Sequence, residues 1–351
     1  MWKPLFPVAL AALGAAWLDP PGWLVRRYGE VLYPAVQARL TPLSNLTSWP
    51  LFDLTWMSLA VGVIAAAGVA VRRACQRRRF RPVVRALGAA LFAAAVCYLW
   101  FLAVWGYNYR RPGVEQALAG FDASRATPAA VRALAERSVA EANAGYDEAH
   151  ALGFPALNDL PADLVASLHA VERALGRARP TTPSRPKRPL TAPYMRAVGV
   201  SGMLAPFFLE TYLNPDLTGP ERPIVLAHEW AHLSGFAPEE DASFVGVLAA
   251  LGGEAASRYS AWLFLVSEST AELQPVTRGL VLERLADGPR RDLTAIAARL
   301  QLRVPWLDRA SWVAYDRALK SQGAESGVAG YGRVIQLLLG SGALERERFA
   351  P

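Results

Sequence analysis

The sequence predicts a mainly α-helical protein, in which three N-terminal transmembrane helices precede a mostly helical domain with a small edge-strand element. Three observations predict this architecture. Apolar residues are concentrated in three segments near the N-terminus, most of the remaining chain has helical spacing and helix caps, and one short β-type stretch interrupts it. With 351 residues, the chain is also long enough to bury a substantial core.

The membrane region is predicted at residues 1–106, with spans at about 5–18, 54–71 and 86–106. The second and third segments contain no charged residue and approach the roughly 20 residues that cross a bilayer. The first is short and follows Lys3, so it also resembles a signal peptide. Because no clear cleavage site of small residues follows it, we expect an uncleaved span.

The loop at residues 72–85 contains seven arginines and no acidic residue, which predicts a cytoplasmic location. Everything after Gly106 is then extracytoplasmic, although Arg110 and Arg111 weakly oppose this orientation. The expected location is therefore the cytoplasmic (inner) membrane, with several spans and an extracytoplasmic C-terminal domain. This loop carries the whole formal net charge of +7, which indicates contact with the lipid bilayer and argues against a nucleic-acid partner.

Outside the spans, the chain predicts helices joined by loops. Residues 19–53 are expected to form an amphipathic helix at the outer interface, and residues 107–175 an extracytoplasmic helical segment. Within that segment, Thr127 and Pro128 predict the start of a helix that continues to about Leu152, and a second is expected at 161–175. Residues 176–196, rich in proline and arginine, predict a mobile loop.

The remaining segment, 197–340, is predicted to form one domain, followed by a tail at 341–351. Residues 197–213 are apolar and β-type, and Pro206 within them favours an edge or bulged strand. Such an edge can hold an extended peptide by backbone pairing, but a plain structural hairpin has the same composition. The two cysteines, Cys75 and Cys97, both lie in the membrane region, which excludes a disulfide framework or a thiolate metal site in the outer domain.

Residues 223–235 contain an H-E-x-x-H motif. On a helix, His228 and His232 project from one face, where two imidazoles can hold one Zn²⁺, and Glu229 lies within reach of a water on that metal. Pro223 suits the first helical position and Gly235 suits a left-handed stop. The motif also occurs by chance on helices, but these are two of only four histidines in the chain.

A hydrolytic zinc site needs a third protein ligand, and three acidic residues follow the turn. We favour Glu239, because a ligand so soon after the turn folds back most easily; Asp241 is the alternative and Glu240 the least suitable. Ser243, one helical turn beyond Glu239, could support a ligand through its hydroxyl group.

In such a site, bound Zn²⁺ lowers the pKa of water towards 7. Glu229 would accept the proton as general base and pass it to the leaving amine. Tyr259 is a candidate for stabilising the oxyanion, although a tyrosine that packs between helices is the simpler interpretation. The solitary residues His150 and His169 are interpreted as ordinary histidines rather than ligands.

Four stretches resemble the conserved pattern of a bacterial membrane family, the domain of unknown function DUF3810. They are WGYNYRR at 105–111, the G-x-S-G…P-F…E stretch at 199–210, HEWAHLSGFAPEEDASF at 228–244, and the L-K…G…G-V…Y-G stretch at 319–332. The resemblance covers most of the chain. It implies three N-terminal spans and an outer zincin-like domain.

The resemblance also bears on the third ligand. The E-x-x-A spacing that begins at Glu239 is similar to that of gluzincin-type peptidases, in which the first glutamate binds zinc. Two departures are Asp241, where the family usually has Glu, and Ser243, where it has Asn. If the family's second acid were the ligand, the shorter Asp241 would have to reach the metal.

The expected function is that of a membrane-anchored zinc metallopeptidase that hydrolyses peptides or envelope proteins outside the cytoplasm. Its expected site consists of Glu229 as general base and of His228, His232 and Glu239 as Zn²⁺ ligands. The alternative is a non-catalytic membrane sensor or scaffold, in which the zinc site is structural or vestigial.

Overall fold

The computed structural model describes residues 20–322 and 333–345, which form a mainly helical protein with one two-stranded sheet. The helices are α1 (Gly22–Arg27), α2 (Tyr33–Asn45), α3 (Leu51–Arg77), α4 (Arg81–Val104), α5 (Pro128–Leu152), α6 (Ala162–Ala174), α7 (Ala192–Ala197), α8 (Arg222–Leu233), α9 (Glu239–Leu251), α10 (Ala255–Ala271), α11 (Pro275–Glu283), α12 (Asp287–Leu300), α13 (Pro305–Gln322) and α14 (Val334–Ser341). The strands are β1 (Gly202–Ala205) and β2 (Glu210–Leu213).

Two of the described helices, α3 and α4, are long and apolar enough to cross a membrane, and they pack against each other. The first of the three predicted spans, at 5–18, lies outside the described residues, so the predicted number of spans is not confirmed. The arginine-rich segment 72–85 is mostly helical rather than a loop: α3 continues to Arg77 and α4 begins at Arg81. Long arginine side chains can extend from helix ends to a polar surface, so charge alone does not mark where a helix ends.

The rest of the described chain surrounds one continuous hydrophobic core, which extends from Tyr28 to Ala343. The predicted segments 107–175 and 197–340 share this core, because α5 packs along α10 and α6 packs on α9. The central helix is α9, whose residues are buried on every side. It crosses α8 very closely, because a Cβ at Gly246 would lie only 2.9 Å from the backbone nitrogen of His228.

Strands β1 and β2 form an antiparallel hairpin in which Gly202 opposes Leu213 and Ala205 opposes Glu210. Pro206 lies in the turn between the strands, so the stretch predicted as an edge or bulged strand forms a hairpin, the alternative that its composition left open. On its other side, β2 pairs with Lys187. Within the described part of the chain, β1 is therefore the open edge of the sheet.

The predicted loop 176–196 is held to the domain instead of projecting from it. The buried Lys187 ammonium group lies 2.5 Å from Glu210 Oε1 and donates to the Ser44 carbonyl at 2.7 Å. Helix α7 also begins inside this segment, at Ala192. The segment is therefore not the mobile loop that its composition predicts. Composition gives no sign of these contacts, because the partners are distant in sequence.

The segment predicted at 19–53 is helical, as α1, a π-helical turn (Tyr28–Leu32) and α2. Its Tyr33 is buried in the domain core and donates a hydrogen bond of 2.7 Å to the Leu233 carbonyl, so this face does not lie on a bilayer surface. Helix α5 confirms the predicted cap, since Thr127 Oγ1 accepts from the Ala130 amide. Helix α6 confirms the helix predicted at 161–175 to within one residue at each end.

Candidate metal centre

The turn between α8 and α9 brings the histidines and the acidic residues together. Helix α8 ends at Leu233, and Gly235 has a φ of 85°, as its predicted left-handed stop requires. A side chain at this position would be strained by the positive φ, and its Cβ would lie 2.4 Å from Arg111 Nη1, which would have to shift. Pro238 then occupies the position before α9, which begins at Glu239.

Three of the predicted site residues converge after this turn. Glu239 Oε2 lies 3.3 Å from His228 Nε2 and 3.4 Å from His232 Nε2. One potential ligand atom from each residue falls within 4.8 Å of the other two. The two imidazole rings are nearly perpendicular, with centroids 4.7 Å apart. The geometry is therefore that of a compact cluster of two nitrogen donors and one carboxylate.

In both imidazoles, the Nδ1 atom, which points away from Glu239, contacts another group of the protein. His232 Nδ1 lies 2.9 Å from the Phe236 carbonyl oxygen, which can only accept, so Nδ1 carries the proton and the neutral ring presents the Nε2 lone pair. His228 Nδ1 lies 3.3 Å from Ser243 Oγ, the hydroxyl that we expected to support a ligand. Such partners fix the ring orientation of metal-binding histidines.

Charge and burial oppose each other in this cluster. Burial favours the neutral form of Glu239, but the two imidazoles outweigh it and hold its pKa well below the usual value. Burial alone would lower the pKa of His232, but the Glu239 carboxylate raises it to about 9. Burial raises the pKa of Glu229, and the charges of both histidines offset only part of this effect. Glu229 is thus a stronger base than an exposed glutamate.

The residues of the cluster fit a bound cation. Glu229 Oε2 is buried and has no hydrogen-bond partner in the described chain, whereas the buried Glu239 Oε2 contacts Nε2 of both imidazoles at 3.3 and 3.4 Å. A buried acceptor without a partner costs free energy, and a cation beside Glu229 that replaces the protons between Glu239 and the imidazoles would remove that cost. Two histidines and one glutamate form a donor set that Zn²⁺ accepts.

The other two acidic residues of the turn are directed elsewhere. Asp241 Oδ2 accepts a hydrogen bond of 2.9 Å from the Val114 amide, and burial raises the pKa of Asp241 to about 7. Glu240 Oε1 lies 3.7 Å from Arg333 Nη1. Of the three acidic residues that we considered as third ligand, the one at the histidines is Glu239.

Strand β1 passes directly over Glu229. A Cβ at Gly202 would lie 2.6 Å from Glu229 Oε1, and the Leu204 amide donates to the Glu229 carboxylate. Opposite them, Thr211 and Leu213 bond to the 184–187 segment, on the far side of β2. In an antiparallel pair, residues that face each other are alternately hydrogen-bonded to each other and turned away from each other. Gly202 faces Leu213 and Leu204 faces Thr211, so these two β1 residues direct their backbone N–H and C=O groups away from β2, towards the open edge.

A cavity of about 540 Å³ adjoins His228 and Glu229. Its walls are mostly apolar and come from α8, α10, α12 and α13; they include Ile224, Val225, Leu263, Phe264, Ile296 and Trp312. The Arg299–Glu221 ion pair, with a shortest distance of 2.5 Å, lies in one wall. At another wall, burial and the nearby Glu272 raise the pKa of Glu268 to about 6.

Sequence reasoning missed Tyr315, which donates a hydrogen bond of 2.5 Å to Glu239 Oε1. No local motif marks this residue, since it is 76 positions from its partner. Tyr259, the residue that we considered for the oxyanion, instead donates to Asp292 Oδ2 at 2.5 Å. His150 contacts the same oxygen at 2.8 Å, and His169 contacts the Thr181 carbonyl at 2.8 Å. These three residues therefore lie outside the cluster.

The family described as "Protein of unknown function (DUF3810)" matches residues 28–339. The chain belongs to this family. The matched range includes α3, α4, the hairpin, both helices of the His228–His232–Glu239 cluster and Tyr315. No curated protein and no solved structure is significantly similar to this DUF3810 chain.

Proposed function

We propose that this DUF3810 protein is a membrane-anchored zinc metallopeptidase that hydrolyses peptide bonds on the extracytoplasmic side of the cytoplasmic membrane. One observation carries the proposal. His228, His232 and Glu239 converge within 4.8 Å, and Glu229, a buried carboxylate with a raised pKa, lies beside them under the open edge of a sheet.

His228, His232 and Glu239 would hold the metal. When bound, Zn²⁺ polarises a substrate carbonyl and lowers the pKa of a water. Glu229 accepts that proton and delivers it to the leaving amine, and its raised pKa favours the first transfer. Tyr315 keeps Glu239 oriented through its hydroxyl group, because Oε1 is then committed and Oε2 faces the histidines.

The surroundings are consistent with a peptide substrate. An extended chain can pair with the outward-facing backbone groups of Gly202 and with the Leu204 carbonyl, since the Leu204 amide already donates to Glu229, and it thereby passes next to Glu229. The neighbouring, mostly apolar cavity of about 540 Å³ is large enough to hold several apolar groups of that substrate. The orientation rests on charge: seven arginines lie in the last turns of α3, the first turns of α4 and the short connection between them, which favours that end as the cytoplasmic one.

The test is to purify the full-length protein in detergent and to measure bound metal and cleavage of a peptide library. Glu229→Gln should retain stoichiometric zinc and lose at least about 100-fold in kcat, because proton transfer is worth about that much. Glu240→Gln is the matched control, since Glu240 lies near Arg333 and should leave both quantities unchanged. Cleavage that survives Glu229→Gln would show that the mechanism is wrong.

A second candidate, a non-catalytic membrane sensor or scaffold with a structural zinc, is favoured by the enclosure of the cluster. Glu239 and His232 are only 3% and 8% exposed, and Tyr315 covers one side. Stoichiometric zinc without cleavage of any library peptide, with loss of folding when zinc is removed, would favour this function.

A further inference from the structure

The metal cluster lies at the very end of the second apolar helix. Trp105, the residue directly after α4, is 3% exposed, and its ring centroid lies 6.4 Å from that of His232. No linker therefore separates the site from α4. If α4 spans the bilayer, Trp105 is at the depth where tryptophan rings collect in membranes, and the site is at the same depth.

The tip of the β1–β2 hairpin packs between the two apolar helices. The Phe207 ring lies 5.7 Å from that of Phe52, 5.2 Å from that of Trp56 and 6.4 Å from that of Phe101. The Trp100 indole also donates a hydrogen bond of 3.0 Å to the Phe207 carbonyl. Since Trp100 precedes the end of α4 by about one helical turn, the tip extends below that end, towards the centre of the predicted span.

Polar contacts fix the hairpin and its neighbours to the start of α3. The Glu210 carboxylate accepts from the amides of Leu51 and Phe52, at 3.1 and 2.9 Å. Asp53 accepts from the amides of Leu190 and Thr191, at 2.6 and 3.1 Å. These buried, charge-assisted contacts leave the hairpin little freedom to move away from the spans.

We propose that the substrates are polypeptides anchored in the same membrane, and that this site cuts them within about six residues of their membrane segment. The inference rests on the proposed peptidase function and on α3 and α4 spanning the bilayer. Leu204, whose amide contacts Glu229, precedes Phe207 by three residues, so Glu229 lies about 10 Å along the strand from the inserted tip. A substrate paired with β1 covers that distance in about three extended residues.

The depth of the site in the membrane also restricts which other polypeptides can reach it. The bilayer shields the side of the site that faces the lipid, so a large folded domain has little room to approach the edge of β1. An extended segment that has just left the membrane is already at this depth. Such segments are rich in apolar residues, which suits the apolar cavity beside His228.

The activity test uses the full-length protein reconstituted in liposomes. A sequence that the detergent-solubilised protein cleaves is joined to a single transmembrane segment through Gly/Ser spacers of about 3, 6, 12 and 24 residues, with the anchor on either side. With the anchor on at least one of the two sides, the substrates with spacers of about 3 and 6 residues should be cleaved fastest. The rate should fall about eightfold from 6 to 24 residues, because effective concentration falls roughly as the −3/2 power of linker length.

The outcomes separate the two proposals. If short spacers resist cleavage and only those of about 12 residues or more are cut, the site lies above the membrane and the inference is wrong, although the peptidase function stands. If neither the anchored substrates nor any soluble peptide is cut, the proposed function itself fails.

A second measurement, independent of activity, tests the depth of the site. A nitroxide label is placed at Phe208→Cys, on the hairpin tip, or at Val276→Cys, a 78% exposed position on α11, with Cys75 and Cys97 replaced by serine. The label at 208 should collide more with oxygen, which concentrates in lipid, and at least about threefold less with aqueous chromium oxalate than the label at 276. Equal collision rates with chromium oxalate would overturn the inference.

Discussion

Two carboxylates in the first turn of α9 are both buried, and their surroundings shift their pKa values in opposite directions. Glu239 faces two imidazoles, which hold its pKa well below the ordinary value despite burial. Asp241 faces the Val114 amide and the neighbouring Glu240, and burial raises its pKa to about 7. Burial is shared, so the difference comes from the partners. Glu239 therefore keeps its negative charge beside the two histidines, as a cation site would require, whereas Asp241 accepts a hydrogen bond from the backbone.

The strongest test of this contrast is metal binding by Glu239→Gln and Asp241→Asn. Glu239→Gln should lower zinc affinity by more than about 100-fold, because loss of a ligand exceeds the 10–100-fold effect of losing a group that merely supports one. Asp241→Asn should keep zinc affinity within about threefold, since Asn can still accept from Val114. Competition with a chelator measures both. Equal losses in the two variants would contradict the assignment of Glu239 as the ligand.

The raised pKa of Asp241 makes a second, smaller prediction, for stability against pH. An acid whose folded-state pKa is raised stabilises the fold below its unfolded pKa, near 4, and that stability is lost as pH rises through about 7. Relative to Asp241→Asn, the wild type should therefore lose about 2–3 kcal/mol between pH 5 and 8, about half of it below pH 6 and almost none above pH 7.5. Thermal unfolding of both proteins at several pH values measures the difference.

Glu283→Gln on α11 is the control for this comparison, and it should follow the wild type at every pH. A stability difference between the wild type and Asp241→Asn that does not change with pH would show that Asp241 is not titrating in this range.

The residues of this contrast also show what the sequence could predict. His228, His232, Glu229 and the turn at Gly235 follow from local spacing, because helix periodicity and a left-handed stop are decided within a few residues. The preference for Glu239 over Asp241 followed from the same local reasoning and from the family pattern. The choice agrees with the geometry, although metal binding itself is still a prediction.

Long-range contacts were not predictable. The Lys187–Glu210 pair converts a segment with the composition of a mobile loop into a buried one, and Phe207 fixes the hairpin to helices that precede it by more than 100 residues. Each depends on a partner that no periodicity identifies. Sequence patterns describe how one element folds, whereas these contacts depend on which elements meet.

Tyr315 is the long-range contact that bears most directly on the contrast, because it donates to Glu239 and not to Asp241. Tyr315→Phe should lower zinc affinity by about tenfold, the lower end of the effect of removing a group that orients a ligand, since Glu239 Oε1 then loses a donor. The matched control is Tyr194→Phe, which removes a 2.8 Å hydrogen bond to Ser311, also on α13, without touching the cluster. Zinc competition should leave Tyr194→Phe unchanged. If both variants lose affinity equally, Tyr315 acts only by docking α13 and does not orient Glu239.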